Sequence, residues 1–310
     1  MSYGLLSALS WGISTLLAAV AARRIGALRT VVIGEAAGLA AYWTLFGLGH
    51  FSLRGIGGTD PATWFLVLGG VIGVAGYLAM YRGLESGHVG LVSAISACYG
   101  GVIAVLSVVL LGERLTVGAV VGIVATVVGV MLAVTQRRTV PGARTGPSAP
   151  NPAGPSAPNP SGPSAPNPAG HAVGAAFGLI AALCYGVGGF MIGRYALELG
   201  WLVPVVVARS GAMVILLGLL ATPLRGPAVT RLAPGLAWAL AAGLTDAAGL
   251  IFFTRGDQVG LVAVTAAVSS AYPVIPLVGG LLVFRERLMR QQVGGAALIV
   301  VGVILLGLGS

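Results

Sequence analysis

Long apolar runs recur along this chain, and their length constrains the fold more than any other feature. Ten such runs occur among the 310 residues. Each holds about 18 residues or more, which at ~1.5 Å per helical residue is enough to cross a ~30 Å hydrocarbon layer. Hydrocarbon offers backbone N–H and C=O groups no partner, and the runs lack the alternation of barrel strands, so we expect α-helices. The sequence therefore predicts an all-α polytopic membrane protein.

The composition agrees with a membrane protein. Hydrophobic residues make up 57% of the chain and charged residues only 8%, too few for a water-exposed surface of this size. The 17 basic residues, which give a net charge of +9, are all arginines scattered among helix ends, so we expect no nucleic-acid partner. The expected spans are residues 3–22, 30–49, 62–81, 89–111, 116–135, 172–193, 201–222, 232–254, 259–284 and 293–309.

The chain divides into two similar halves. A shift of 174 residues places residues 4–12 on residues 178–186, and a shift of 173 matches later positions. Three copies of a Pro-, Ala-, Ser- and Asn-rich octapeptide separate the halves, a composition that favours an extended, solvated linker. The predicted domains are a five-helix repeat in residues 1–135, a linker in residues 136–171 and a second five-helix repeat in residues 172–310.

The tripeptide Glu-Arg-Leu occurs at residues 113–115 and again at residues 286–288, each time between the fourth and fifth runs of a half. A charge pair at such a corner suits the headgroup region, and exposed pairs typically contribute under about 1 kcal/mol. We interpret it as an interfacial corner pair rather than a gating contact.

An odd number of spans in each half has a geometric consequence. The second half enters the membrane from the opposite side, so the two repeats are inverted. Inverted repeats place a cavity near the middle of the bilayer, where one half can rock against the other and expose the cavity to each side in turn. Ten transmembrane helices in two inverted five-helix repeats are the architecture of a secondary transporter.

Several motifs resemble the EamA-type family of the drug/metabolite transporter superfamily. They are "LSWG" in the first run, "VARSGAM" in the seventh, and "GERL" and "RERL" before the last run of each half. The resemblance implies a ten-helix carrier of small metabolites, often an exporter of amino acids or related compounds, with no bound cofactor. Where the family commonly has an arginine early in the second helix, this chain has Glu35, whose repeat mate is Arg209.

Three charged residues lie well inside the expected spans: Glu35, Arg209 and Asp246. A charge at the centre of a membrane helix costs at least about 2.5 to 3.5 kcal/mol, so it usually faces a cavity or a partner. In a functional interpretation the carboxylates accept protons and Arg209 binds an anionic group of the substrate. In a structural interpretation the same residues lock helices together or extend towards the interface.

Polar and aromatic residues recur at matching places in the two halves. In the fourth run of each half, a serine and a tyrosine spaced i, i+3 would share one face of a helix. Such residues can offer hydroxyls and apolar rings to a substrate, or make hydrogen bonds between helices. The candidate binding residues of this kind are Trp11, Tyr185, Ser96, Tyr99, Ser269 and Tyr272.

Helix-breaking residues follow the tyrosines of the two fourth runs. Pro273 and Pro276 interrupt the ninth run of the chain, and Gly100 and Gly101 lie at the comparable place in the first half. Proline removes a backbone hydrogen bond and frees carbonyl groups that can line a cavity or act as a hinge. We expect both helices to bend beside the binding site.

No motif indicates a reaction or an ATP-driven process. The chain contains no "GxxxxGK[ST]", "HExxH" or "GxSxG" sequence, so we expect neither an enzyme nor a metal site. Its richness in Arg, Ala, Gly and Pro without lysine is typical of a GC-rich bacterial genome. The predicted function is transport of a small molecule across the bacterial cytoplasmic membrane, with protons as a candidate coupling ion and a monomer or homodimer as the unit. A channel, a sensor and a membrane-embedded enzyme are the alternatives.

Overall fold

The computed structural model describes residues 1–49, 51–53, 56–85, 92, 95–134, 168–221, 233–275 and 290–309. Regular secondary structure within these ranges is entirely helical. In chain order the helices are α1 (Ser2–Ile25), α2 (Ala27–Leu48), α3 (Pro61–Glu85), α4 (Tyr99–Leu111), α5 (Val117–Val134), α6 (Pro168–Leu199), α7 (Val203–Leu220), α8 (Ala233–Val259), α9 (Val262–Ser269) and α10 (Arg290–Gly309).

The outer surface of the helices is apolar. Six of them, α1, α2, α3, α6, α7 and α8, are long and apolar enough to cross a membrane, and α4, α5 and α10 are shorter apolar helices. Large side chains point outward, with Val117 82%, Val109 70% and Val214 69% exposed. Such a surface is unfavourable in water and suited to lipid. The predicted multi-pass, all-helical fold is confirmed at this level.

Several helices extend beyond the expected spans, and the extensions of α8 and α6 bring in residues that were expected to lie outside helices. α8 continues to Val259, although the expected span ends at residue 254, so Asp257 lies within a helix. α6 begins at Pro168, inside the predicted linker, because a proline in the first turn loses no helical hydrogen bond. Linker residues 136–167 and the second Glu-Arg-Leu tripeptide lie outside the described residues.

The fourth run of each half is interrupted. In the first half, a turn at Ala97 and Cys98 precedes α4; in the second, α9 ends at Ser269 and a turn covers residues 270–273. A turn therefore lies between Ser96 and Tyr99, and Tyr272 lies within the turn that follows Ser269. The expectation that the two side chains share one face of a continuous helix does not hold, and α4 and α9 are short for the same reason.

Short glycine connections join the first two helices of each half. Gly26 separates α1 from α2 with a φ of 85°, and Gly200 follows α6 with a φ of 80°. A side chain rarely tolerates such a positive φ, so glycine suits these tight turns. The two glycines are 174 residues apart, so the same kind of turn occurs at equivalent positions of the two repeats.

Contacts between the halves occur in exchanged pairs. α1 of the first half packs on α8 of the second, and its equivalent α6 packs on α3, the equivalent of α8. In the same way α2 packs on α8, and its equivalent α7 packs on α3. Within these pairs, the Trp11 ring lies against Gly249, and the Tyr185 ring lies against Gly76. Because Trp11 and Tyr185 are equivalent positions, as are the two glycines, this pattern is what a two-fold relation between the halves produces.

The last helices of the two halves, α5 and α10, run antiparallel where they meet. Near the start of α5, Gly118 faces Leu305 towards the end of α10, with 3.9 Å between a Cβ built on the glycine and the leucine carbonyl oxygen. Further along α5, a Cβ at Gly129 would lie 2.8 Å from the Gly295 carbonyl oxygen near the start of α10. Glycines allow this close backbone approach.

The Glu113 carboxylate links the two halves at a second antiparallel interface. It follows α4 and accepts hydrogen bonds from the N–H groups of Val262 and Ala263, at 2.8 and 3.1 Å, in the first turn of α9. At the other end of α4, Gly100 lies against Ser270, just past the end of α9. The arginine after Glu113 is exposed. The acid of the repeated tripeptide therefore caps a helix N-terminus instead of forming the expected corner pair.

Backbones of the two halves also touch beside the buried charges. A Cβ at Gly243 on α8 would collide with the Gly34 carbonyl oxygen on α2. Equivalently, a Cβ at Gly70 on α3 would collide with the Ala208 carbonyl oxygen on α7. The next residue along α2, and along α7, is in each case one of the buried charges. These contacts therefore set where the charges meet.

We expect Gly243→Ala to lower the thermal stability of the purified protein, because the added methyl group meets backbone that cannot rotate away. Overpacking of this kind typically costs about 1–3 kcal/mol. Gly47→Ala on the exposed end of α2 is the matched control, since its Cβ meets nothing within 4 Å. Thermal unfolding in detergent measures both; equal melting temperatures would contradict the packing described here.

Candidate functional site

Three charged side chains from three helices, one buried and two partly buried, form one cluster. The Arg209 guanidinium on α7 donates a hydrogen bond to the Glu35 carboxylate on α2. Its Nη2 also donates to Oδ2 of Asp246 on α8, at 3.3 Å. The side chains of Arg209, Glu35 and Asp246 are 12%, 8% and 24% exposed. Because Glu35 and Arg209 are equivalent positions in the repeat, this ion pair joins the two halves at matching places.

The charges of the cluster do not balance. One guanidinium faces two carboxylates, so with all three groups ionised the cluster carries one net negative charge. An uncompensated charge in a weakly solvated position is unfavourable. A proton on either carboxylate, or the cationic group of a bound molecule, would neutralise it. The arrangement can therefore bind a cation or a proton as well as hold helices together.

A tyrosine that the sequence analysis did not select completes the cluster. The Tyr77 hydroxyl on α3 donates to Asp246 Oδ1 at 3.5 Å, and its ring lies 5.9 Å from the Arg209 guanidinium carbon, within cation–π range. A sequence signal for it exists: Tyr77 follows by one helical turn Gly73, the repeat equivalent of Asp246. The Tyr77 ring, from the first half, thus covers the charges that Arg209 and Asp246 contribute from the second half.

The cluster opens onto a small cavity of ≈ 60 Å³ whose lining is mainly apolar. A water molecule requires about 10–15 Å³ by this measure, so the cavity holds a few waters and is smaller than a typical metabolite site. Binding of a metabolite therefore requires the surrounding helices to separate. The lining comes from α1, α2, α3 and α8 and consists of Ser14, Ala18, Thr30, Val31, Gly34, Glu35, Tyr77, Ala242, Gly243 and Asp246.

A separate group of aromatic side chains gathers predicted residues from both halves. The Trp11 ring packs edge-on against Tyr99, with centroids 6.1 Å apart, and lies 5.6 Å from the Phe253 ring. Tyr99 and Tyr272 lie 6.5 Å apart. The buried Tyr99 hydroxyl has no hydrogen-bond partner among the described residues. This group is an apolar surface with one unpartnered hydroxyl.

Tyr185 packs beside the charge cluster. Its ring packs edge-on against Tyr77 with centroids 5.3 Å apart. The two predicted serines are fully buried. Ser96 contacts the Tyr272 hydroxyl of the other half, which agrees with the interpretation that such residues bond between helices. Ser269 instead donates within its own helix, to the Thr265 carbonyl oxygen at 2.7 Å.

The predicted hinge residues flank the turns of the interrupted runs. Pro273 is buried in the turn after α9. A Cβ at Gly100 would lie 2.7 Å from the Ala266 carbonyl oxygen, so that position requires glycine, whereas Gly101 meets only a valine methyl at 3.5 Å. Pro276 lies outside the described residues. Neither helix runs straight past its tyrosine.

We expect Arg209→Met to destabilise the protein strongly, because it leaves two carboxylates without their cation. Breaking a buried pair typically costs about 3–5 kcal/mol. Adding Glu35→Gln to that variant should restore most of the loss, since a single remaining carboxyl can take up a proton. Unfolding measurements on the single and double variants test this coupling.

Arg194→Met is the matched control, because its pair with Glu198 is 37% and 50% exposed and should contribute under about 1 kcal/mol. Additive effects of the two substitutions at the cluster would show that Arg209 and Glu35 do not depend on each other.

Comparisons with known proteins bear on both the fold and the family. No curated protein matches the sequence, whereas 26 chains of solved structures match. One of them, described only as "Crystal structure of protein", has a TM-score of 0.66 and 19% identity, and the alignment covers 99% of this chain and 95% of that one. At this identity the likeness concerns the fold alone. A family model described as "EamA-like transporter family" matches residues 1–135. The resemblance predicted from the motifs is thus confirmed for residues 1–135, the part of the chain that matches the EamA-like transporter family of the drug/metabolite transporter superfamily.

Proposed function

We propose that the protein is a secondary carrier that moves small metabolites by alternating access between two oppositely oriented halves. Family membership of residues 1–135 supports a membrane transporter of the drug/metabolite type. The observation that carries the mechanism is the Arg209–Glu35 pair, which joins equivalent positions of the two halves beside a cavity. A contact at that place must change whenever one half rocks against the other.

The antiparallel pairing of equivalent helices supports inverted repeats. An axis in the membrane plane relates each helix to a mate of opposite direction, whereas an axis along the membrane normal relates parallel mates. α5 with α10, and α4 with α9, are both antiparallel pairs. The in-plane axis is therefore the arrangement we propose for the two five-helix repeats, residues 1–135 and 172–310.

The proposed substrates are amino acids or related zwitterions, because the cluster offers both signs of charge side by side. A substrate carboxylate can bind the Arg209 guanidinium through paired hydrogen bonds. A substrate ammonium can take the place of the missing positive charge beside Asp246. Trp11, Tyr99, Tyr185 and Tyr272 provide apolar rings for a side chain once the helices separate.

Proton coupling follows from the same charge balance. With no substrate bound, one proton neutralises the cluster; a bound ammonium group makes that proton unnecessary. Substrate and proton therefore compete for the carboxylates, which is the requirement for exchanging one against the other. We propose export across a bacterial cytoplasmic membrane as the physiological direction, on the basis of the family resemblance.

The direct test is flux into proteoliposomes with and without a pH gradient, screened over amino acids, amines and nucleosides. A carrier saturates and shows counterflow of labelled against unlabelled substrate. Flux without saturation or counterflow would indicate a channel, and a changed compound would indicate an enzyme; either result would overturn the proposal.

We expect Asp246→Asn to abolish flux driven by a pH gradient while leaving a folded protein, because the amide keeps the shape but cannot accept the proton. Loss of at least about tenfold corresponds to about 1.4 kcal/mol of coupling. Glu198→Gln, an exposed carboxylate paired with Arg194, is the control and should transport like the wild type. Undiminished flux with unchanged pH dependence in the Asp246 variant would remove this residue from the mechanism.

A further inference from the structure

A fourth ionisable side chain inside the helix bundle lies outside the charge cluster. Asp257, near the end of α8, is 0% exposed, and neither carboxylate oxygen has a hydrogen-bond partner among the described residues. Asp257 is eleven positions after Asp246 on the same helix, which corresponds to about 16 Å along the helix axis at ~1.5 Å per residue. The two carboxylates therefore occupy independent sites.

The residues around Asp257 pack closely against its carboxyl group. A Cβ at Gly193 on α6 would lie 2.5 Å from Asp257 Oδ2 and 3.4 Å from a Val262 methyl, so a larger residue there would displace the carboxyl. On α9, the Thr265 side chain is a neighbour but completes no hydrogen bond to either oxygen. Apolar atoms thus replace the water that an ionised carboxylate requires.

No cation in the described part of the chain faces Asp257. Arg255 on the same helix is directed to Gln258, and Arg194 beside the facing glycine pairs with Glu198. The titratable groups that do face this region are Glu113 at the α4–α5 corner, Tyr99 on α4 and Tyr3 on α1. An ionised Asp257 would therefore meet a second carboxylate and no positive charge, which is strongly unfavourable in a buried position.

We propose that Asp257 is a binding site for a single proton, separate from the charge cluster, and that this conformation requires the protonated form. The proton passes between a water molecule and a carboxylate oxygen of Asp257, with no other bond formed or broken. A neutral carboxylic acid fits the apolar surroundings, since it needs no counter-ion.

The site is coupled to a contact between the halves. Glu113 of the first half holds the first turn of α9 in the second half through the Val262 and Ala263 N–H groups. Ionisation of Asp257 would place two negative charges at this end of α9 and repel Glu113 from it. Proton release therefore favours separation of the α4–α5 corner from α9, and proton uptake favours docking. This use of the site rests on the proposed carrier function; the presence of the proton does not.

Infrared spectroscopy of the full chain in lipid at neutral pH tests the proposal directly, with the proton itself as the probe. We expect a carbonyl-stretch band of a protonated carboxylic acid that disappears in Asp257→Asn and remains in Asp246→Asn. Labelling aspartate with carbon-13 should shift the band. Asp60→Asn, in the loop before α3 where the carboxylate accepts the Ala62 N–H, is the control and should leave the band unchanged. Identical carboxyl spectra for the wild type and Asp257→Asn would overturn the proposal.

Thermal stability gives a second readout that does not depend on spectral assignment. Asn has the shape of a protonated Asp but takes up no proton on folding, so Asp257→Asn should match the wild type below about pH 4, where aspartate is protonated in the unfolded chain as well. At neutral pH the variant should be more stable than the wild type, which must take up a proton to fold, and the difference should grow as the pH rises. A large loss of stability in Asp257→Asn at neutral pH would show that the wild-type carboxylate is ionised and held by another group. If proteoliposomes show no flux, the carrier function fails while the infrared result still decides the proton site.

Discussion

The contact between Glu35 and Arg209 is the interaction on which the rest of the structure depends. Neither charge is stable in hydrocarbon alone, so α2 and α7 must turn these faces towards each other inside the bundle. Glycine contacts one residue away allow the backbones of α2 and α8, and of α3 and α7, to touch. Asp246, Tyr77 and the cavity then lie around the pair. The same requirement that places the charges also places the cavity between the halves.

The two repeats agree at positions that pack helices together but differ at positions that carry charge. Packing positions agree between the repeats: Gly26 with Gly200, and Trp11 with Tyr185, because both copies must form the same turns and helix contacts. Charged positions differ, since Glu35 corresponds to Arg209, and the equivalent of Asp246 is a glycine. Identical charges at matching places would repel across the interface. Divergence of the copies is therefore what produces an attractive contact and an unbalanced carboxylate beside it.

The sequence was sufficient for the helical class and for selecting the three charged residues that cluster, because apolar length and an intramembrane charge are strong local signals. It was insufficient where the outcome depended on neighbours in space. The turn between Ser96 and Tyr99 breaks a run that looks continuous, and Asp257 seemed to lie beyond its span because Arg255 precedes it. The helical spacing of Leu250 and Phe253 with Asp257 is a sequence signal for that buried face. The cap made by Glu113 required knowledge of which helix lies opposite.

Access of the cavity to each side of the membrane is the most direct test of the account. Ala18 lines the cavity without contributing a polar group, so a cysteine there, with Cys98 and Cys184 replaced by alanine, reports solvent entry. A cysteine at Thr59 in the α2–α3 connection calibrates sidedness and should react with a membrane-impermeant thiol reagent from one side only. If the cavity opens to each side in turn, we expect the Ala18→Cys variant to react with reagent added to either side. Reaction from a single side under all conditions, or from neither, would contradict it.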